Sequence, residues 1–531
     1  MMLAATVFTG ISFGSCSSED LLETPGAGDG SSEGQVVTFS TGDESPSNSR
    51  RLLTTMDDQG YFFWTTNDHI FVKVGDTYVS AKSSISQQTN NATFFINGNI
   101  DDAASYPIIY AGNNKVNASQ ATSVEVKDVQ TQVTPGDGTH IGYSGDCGVA
   151  TATRTAPFKY NFRLYHRASY FSIVPRHAFS TSDVTLQKIV VTTTGSSPLA
   201  GNFSFDENTT TLEGKLIANG KNTITLNTSD FVVPSNDTVI ADSRRLFDAA
   251  SIMVFAPGTH ALKFSYYVTI NGAPRVYEKY VDEREFLAGH FTSVKHILSD
   301  AILTGNHQPA LADISINDNS ESLTALTTFL AFNYYMWDAN EPFGVGFYSG
   351  ITHPTTVAEI PTHSAQNISK DMPNANEMYW YVKNGNPTWD PLTIWSLDGG
   401  LTENSNGVWI KKKARILAEG GTFSSTIGMD DVDMRLVPKT YTSTMSFKLL
   451  SSAEKNVYFF LPAIGRAPDS RFNYSAETNL RDAYYWTSSC YPEPSSSKTT
   501  SYLLFFNKDG AINVGGSHKH VGAGSDPTWF K

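Results

Sequence analysis

Short runs in which apolar and polar residues alternate, separated by turn-forming residues, recur from position 35 to about position 300. The first is carried by Val37 and Phe39 on one face and by Val36, Thr38 and Ser40 on the other, a period of two that predicts a half-buried strand. Residues 42–49 then turn polar, rich in Ser, Asn, Asp, Glu and Pro, and end at Arg50-Arg51. Such a segment cannot bury itself, so it offers the two arginines to a trypsin-like protease; the other reading is a mobile hairpin loop. Further strands are predicted at 70–74, 92–96, 124–129 and 158–164, the last placing Phe158, Tyr160, Phe162 and Leu164 on one buried face. Others follow at 189–191, 223–226, 252–255 and 264–270, with 285–291 turning into a final strand. Helical periods are scarce over this part, which points to antiparallel sandwiches rather than to parallel sheets with crossover helices.

Beyond position 300 the pattern changes. Residues 311–322 are hydrophilic and read as a linker. Pro373-Asn374-Ala375-Asn376-Glu377 has helix-start chemistry, and Met378, Tyr381 and Val382 after it share one face, so a short helix is predicted up to Asn384-Gly385. Strands are predicted at 459–463, 484–489 and 502–506, the last paired with 511–514 across the turn Asn507-Lys508-Asp509-Gly510.

Composition sharpens this picture. The 531 residues allow two to four domains. Hydrophobic residues make up 40% and aromatic ones 12%, while charged ones reach only 17%, the palette of an extracellular β-protein. A net charge of −14 argues against a nucleic-acid partner, which selects basic surfaces. The 3 cysteines, Cys16, Cys147 and Cys490, cannot build a disulfide framework or a four-thiolate zinc site, and whether Cys147 and Cys490 pair depends on the fold. Of the 8 tryptophans, all but Trp64 lie beyond Asp300, a compositional step that marks a domain boundary.

The apolar run before Cys16 is too short to span a bilayer and reads as a signal segment. Phe13-Gly14-Ser15-Cys16 resembles a lipobox, which implies a lipid on Cys16 and a precursor held at the outer membrane; a plain secreted protein is the other reading. Phe63-Trp64 with Asp68-His69-Ile70-Phe71-Val72, then Asp146-Cys147-Gly148-Val149-Ala150, then Phe162-Arg163-Leu164-Tyr165-His166-Arg167-Ala168, resemble in order the motifs of fimbrillins, subunits of type V pili in Gram-negative gut and oral bacteria. The resemblance implies two tandem transthyretin-like β-sandwiches and cleavage after Arg50 or Arg51. It also implies removal of a first strand carrying Val37 and Phe39, and its replacement by a strand of another subunit. Pro373-Asn374-Ala375-Asn376-Glu377-Met378-Tyr379-Trp380, Asn386-Pro387-Thr388-Trp389-Asp390, Trp409-Ile410-Lys411-Lys412-Lys413, Phe460-Leu461-Pro462-Ala463-Ile464-Gly465 and Tyr485-Trp486-Thr487 are similar to the FISUMP group of C-type-lectin-like domains found at the C-terminus of some fimbrillins. The Gly/Pro-broken stretch 522–527, where a stalk subunit would carry a long alternating strand, implies a tip subunit that receives a strand.

The expected organisation is therefore a mainly β chain. It has a signal segment at 1–16, a tether at 17–34, a first sandwich at 35–153 with removable strand 35–51, a second at 154–303, and a C-type-lectin-like α+β domain at 304–531. Trp389, Trp395, Trp409 and Trp486 are candidate stacking surfaces for a glycan, against the commoner use of tryptophan in a core. His518 with His520, and Asp430, Asp431 and Asp433 beside Gly428, fall short of a closed metal site, and no metal or cofactor is expected. Glu493-Pro494-Ser495 is a poor stand-in for the calcium signature of lectins, and Lys411 to Lys413 read as a solvated sheet edge. No hydrolase, metalloprotease or phosphate-loop motif occurs, which argues against an enzyme, and the fimbrillin resemblance implies an adhesive pilus subunit as the leading reading. A non-polymerising, glycan-binding surface lipoprotein is the alternative, and a surface enzyme a distant third.

Overall fold

The computed structural model describes residues 35–41, 63–66, 68–89, 91–113, 115–236, 249–299, 336–339, 359, 364–396, 399–465, 482–492, 499–519 and 521–530. The fold is mainly β, as the alternating pattern predicts. In chain order, β1 (Val36–Thr41), β2 (Ile70–Val74), β3 (Thr77–Ser83), β4 (Thr93–Asn97) and β5 (Ser105–Tyr110) are followed by β6 (Ser123–Val126) and β7 (Val129–Thr131). Then come β8 (Gly148–Ala156), β9 (Lys159–Phe162) and β10 (Tyr165–His166). One sheet has the order β10-β8-β5-β2-β3-β4-β1-β9, and because β8 also pairs with β9 it closes on itself. Closure leaves β1 with a neighbour on each side. The enclosed core gathers Trp64, Phe94, Tyr110 and Phe162, whose rings meet edge-on or tilted.

The next strands are β11 (Ser169–Ile173), β12 (Arg176–His177), β13 (Val184–Thr193), β14 (Ala200–Ser204), β15 (Leu216–Lys221) and β16 (Thr223–Val232). They are followed by β17 (Ser251–Phe255), β18 (Gly258–Ile270), β19 (Ala273–Phe286), β20 (Phe291–Val294) and β21 (Ile297–Leu298). They form the sheets β19-β18-β13-β16-β7, β17-β11-β20, β15-β14-β6 and β12-β21. Two expectations need correction here. The boundary at 153/154 falls inside the first sheet, since β8 and β9 belong to it, while β6 and β7 join the second block. The pairing is also not purely antiparallel: β1 with β9, β7 with β16, β11 with β20 and β12 with β21 run parallel. Each parallel pair joins strands that are distant in the chain, where no tight hairpin sets the direction.

Among the described residues, the first of the predicted elements in the third block is the helix Ala375–Asn384. Asn374 caps it, accepting from Glu377 N at 3.0 Å while the Glu377 carboxylate accepts from Asn374 N at 3.1 Å. Met378, Tyr381 and Val382 are buried, so the face read from spacing is the one that packs. Strands β22 (Thr388–Ser396), β23 (Glu403–Lys411), β24 (Tyr441–Thr444), β25 (Tyr458–Pro462), β26 (Asp482–Cys490), β27 (Thr500–Asn507) and β28 (Ala511–His518) make the sheets β22-β23-β25 and β24-β28-β27-β26. The β27–β28 hairpin is the predicted one, turning at Asn507 to Gly510. Trp529 and Phe530 fold back against Tyr485 and Phe459.

Lys411 lies at the end of β23, the middle strand of its sheet, which corrects the reading of Lys411 to Lys413 as a sheet edge. Lys411 pairs with Glu419 at 2.6 Å, and the Lys413 ammonium sits over the Phe423 ring at 4.8 Å. No helix among the described residues is long and apolar enough to cross a membrane.

Candidate functional site

β1 is built to be held on both edges. It runs antiparallel to β4, with Val36 opposite Asn97 and Ser40 opposite Thr93, and parallel to β9, with Thr38 opposite Lys159 and Thr41 opposite Phe162. At its ends Gly98 N donates to Gln35 O at 3.0 Å and Thr41 N to Ala92 O at 3.0 Å. Ala92 N in turn donates to the Thr41 hydroxyl at 2.9 Å, and Thr38 N donates to Phe158 O at 3.0 Å. The inward face carries Val37, Phe39 and Thr41, the first two wholly buried, while Val36 is exposed. This is the alternation read from the sequence. Each of the two apolar side chains contributes on the order of 1.5–3 kcal/mol by leaving water.

Phe39 occupies an aromatic slot. It stacks on Tyr160 at 5.1 Å with planes 20° apart and meets the edge of Tyr106 at 6.1 Å, while Tyr106 and Tyr160 pack edge-on at 5.2 Å. The slot is fixed from behind by Asp102. Its carboxylate accepts from Arg154 Nε at 2.7 Å, Phe158 N at 3.0 Å and the Tyr160 hydroxyl at 3.1 Å. The Arg154 guanidinium beside it holds the Asp102 carboxyl well below the usual carboxylate range. Burial and the Asp102 carboxylate push the Tyr160 hydroxyl up to about 12. Phe158, expected on the same face as Tyr160, instead sits at φ 59° in the β8–β9 turn and is only half-buried. The chain reverses there, so the alternation cannot extend through it.

The motif residues singled out in the sequence converge nearby. Asp68 accepts from Thr65 N at 2.8 Å and from the Tyr110 hydroxyl at 2.9 Å, behind Trp64. Asp146 and His166 meet at 2.8 Å, and the Tyr170 hydroxyl donates to the same Asp146 oxygen at 2.6 Å. The motif glycine Gly148 lets β8 pass close to the chain it pairs with, since a Cβ there would lie 2.9 Å from Tyr165 O. The Asp146, His166 and Tyr170 cluster is a polar clamp where the first block joins the second, while the Asp68 cluster lies within the first.

Glu207, from the loop after β14, accepts from both the Lys73 ammonium and the Tyr78 hydroxyl on β2 and β3. That fork pushes the Tyr78 hydroxyl well up, burial being the larger cause, and brings the Glu207 carboxyl down to about 2 through its two partners against the opposing effect of burial.

The four tryptophans proposed as ligand surfaces are placed differently from the expectation. Trp389, Trp395 and Trp486 are buried. Trp395 donates its indole N–H to Asn406 O at 2.9 Å, Trp389 packs edge-on to Phe506 at 6.4 Å, and Trp486 belongs to a small core with Trp337 and Cys490. Their faces are covered by protein, so they cannot stack on a sugar. Trp409 is half-buried, its indole N–H on Asp390 at 2.9 Å and the Lys455 ammonium over its ring at 4.9 Å. The structure does not bring the four together as one surface.

Among the acidic candidates, Asp433 pairs with Arg435 at 2.6 Å and accepts from Asn376 at 2.7 Å, while Asp430 pairs with Lys439 at 2.8 Å. His518 is exposed. Cys147 and Cys490 are both buried and form no disulfide with each other. Cys16, Arg50, Arg51, the 311–322 linker, Glu493-Pro494-Ser495 and His520 lie outside the described residues.

Sequence reasoning missed a junction between the second and third blocks. Lys295 and Thr402 form a parallel bridge, and the buried Lys279 ammonium meets Glu403 at 2.8 Å. Glu403 also accepts from Ile297 N at 2.8 Å. His296 is wholly buried, with Nδ1 accepting from the Tyr266 hydroxyl at 2.7 Å and Nε2 donating to Gly400 O at 2.7 Å. Desolvation pushes its imidazole down to about 4. Gly400, at φ 94°, is needed there because a Cβ would fall 2.3 Å from Tyr280 O. A Lys and a Glu more than a hundred positions apart leave no local signal of this pairing.

No protein-family model and no curated protein matches the chain. Solved structures similar to it include a candidate cell adhesion protein from Bacteroides uniformis, 12% identical, covering 50% of this chain and 93% of its own, with a TM-score of 0.32. Another from Bacteroides ovatus is 13% identical over 50% of this chain and 93% of its own, with a TM-score of 0.31. A fimbrial protein from Bacteroides ovatus is 10% identical and covers 92% of this chain and 98% of its own, with a TM-score of 0.22. At such scores these likenesses say what the chain is similar to and nothing of its activity.

Proposed function

We propose that this chain is a structural and adhesive subunit of a type V pilus whose first strand, β1, is a placeholder for a strand of another subunit. On this reading the precursor is lipidated at Cys16 and exported to the outer membrane, then cut after Arg50 or Arg51. β1 leaves the closed sheet, and a neighbour's strand pairs with β4 and β9 in its place. The C-terminal block would be the lectin-like part that meets a glycan or protein ligand at the pilus tip.

The observation that carries the reading is the placement of β1. It sits in the interior of a sheet, its apolar side chains fill preformed slots, and residues 42–62, which include Arg50-Arg51, separate it from Trp64. Withdrawing it leaves two adjacent strand edges and an open aromatic slot, a state that favours pairing with an added strand.

The test uses the full chain and its Arg50→Ala/Arg51→Ala double variant in cells that assemble pili. Mass spectrometry of assembled wild-type subunits should find a new N-terminus at Arg51 or Leu52, and the double variant should fold and fail to assemble. Pili in which the chain still carries residues 35–50 would defeat the reading.

A further inference from the structure

β12 runs parallel to β21, the last strand of the second block, and Arg176 stands level with Ile297 there. On its other side β12 forms a parallel bridge in which His177 stands level with Ser235. Residues level in a parallel pair point to the same side and successive residues alternate, so Arg176, Ile297 and Asn236 share one side, while His177 and Leu298 share the other. The His177 side turns inward, its ring stacked on Phe179 at 5.5 Å and Leu298 packed in the core of the second block. The Arg176 side faces the third block, because Asn236 Nδ2 donates to the Ser405 hydroxyl of β23 at 2.7 Å.

Arg176 is only 5% exposed. Its backbone N donates to His296 O at 2.8 Å, but its Nη1 is enclosed and has no hydrogen-bond partner among the described residues. No described carboxylate acts on the guanidinium, which burial alone pushes down. Glu403, the acid at this junction, is already taken: its Oε2 accepts from Lys279 Nζ and from Ile297 N, both at 2.8 Å. A lysine in such a place could shed its proton, whereas an arginine starts so high that it stays charged at neutral pH. A buried charge without a counter-charge is strongly unfavourable, and a bound anion is the remaining way to supply one.

We propose that Arg176 holds a small monovalent anion, chloride, on the face where the second and third blocks meet. The size follows from burial, since so little of the side chain can be reached that a bulky oxyanion or a carboxylate of another chain has no approach. The charge follows from the net −14 of the chain, whose field opposes a multivalent anion. The Ser405 hydroxyl, which accepts from Asn236, keeps its own proton as a neutral donor on the same face. The anion would complete the junction on the Arg176 side as Glu403 completes it beside Lys279.

The experiment follows urea unfolding of the full chain as chloride replaces gluconate, an anion too bulky for the site, at constant ionic strength so that screening does not change. The midpoint should rise with chloride, and above the dissociation constant each tenfold rise in chloride should raise the folding constant about tenfold. Arg176→Met, an apolar side chain of similar length, should give one midpoint in both salts. Chloride NMR of the wild type should show a resonance broadened by the folded protein, with the broadening removed by competing iodide. That readout needs no variant, so it stands even if Arg176→Met folds poorly. The same wild-type midpoint in chloride and gluconate, an equal chloride response in Arg176→Met, or no broadening that iodide removes would overturn the proposal.

Discussion

At the scale of single residues, two buried groups set the sharpest expectations. Phe39 fills the slot between Tyr160 and Tyr106, so Phe39→Ala should leave a cavity and cost about 3–5 kcal/mol. A urea titration of the uncleaved chain, followed by tyrosine and tryptophan fluorescence, measures this, and an unchanged midpoint would mean that β1 does not support the closed sheet. His296 gives a pH signature. Its folded value lies near 4 against 6.5 for a free imidazole, so in the acid range the unfolded chain binds more protons than the folded one. This contribution is therefore complete above about pH 6.5 and is lost as pH falls from there toward 4, amounting to about 3 kcal/mol in all. Unfolding curves recorded near pH 7 and near pH 5 should show a steep loss in the wild type and a shallower one in His296→Asn, which has no imidazole to titrate. Equal slopes would remove His296 from the account.

At the scale of elements, the helix Ala375–Asn384 is the clearest case of local sequence setting local structure. Asn374→Ala removes both the cap on Glu377 N and the side-chain donation to Ser425 O at 3.0 Å, and should cost about 1 kcal/mol, measurable by thermal unfolding of the third block. Such elements were legible because caps, turn residues and alternation act over a few positions. The β27–β28 hairpin and the inward face of β1 were read from the chain for the same reason. Partner choice was not. Nothing near Val124 or Val129 tells that β6 and β7 leave the first sheet for β14 and β16, and nothing in β1 tells that β9 will run parallel to it. The placement of the tryptophans was not legible for a related reason. A strand tryptophan such as Trp389 has the same sequence pattern whether its face meets Phe506 or water, and only the second layer decides which.

At the scale of the molecule, the question is whether the third block is free to move on the second, as an adhesive head on a loose tether would be. The contacts argue against it. Besides the parallel bridge and His296, Asp282 N donates to Gly399 O at 2.9 Å and Lys295 Nζ donates to Asn404 Oδ1 at 2.7 Å, so backbone and side chains both cross the junction. The Lys279–Glu403 pair sits at its centre, and the burial that makes it rigid also makes it vulnerable. Burial pushes the Lys279 ammonium down, and only the carboxylate of Glu403 compensates. Glu403→Ala should accordingly strand a buried cation and the Ile297 N–H together, costing about 3–5 kcal/mol, whereas Lys279→Met/Glu403→Leu should restore most of it by replacing the pair with apolar volume. If the junction transmits force as a stiff coupling, limited proteolysis should release the third block from Glu403→Ala far faster than from the wild type or the double variant. Equal release from all three would mean that the blocks are joined by the chain alone, and that a load applied at the C-terminal block is taken up by bending there before it reaches the closed sheet around β1.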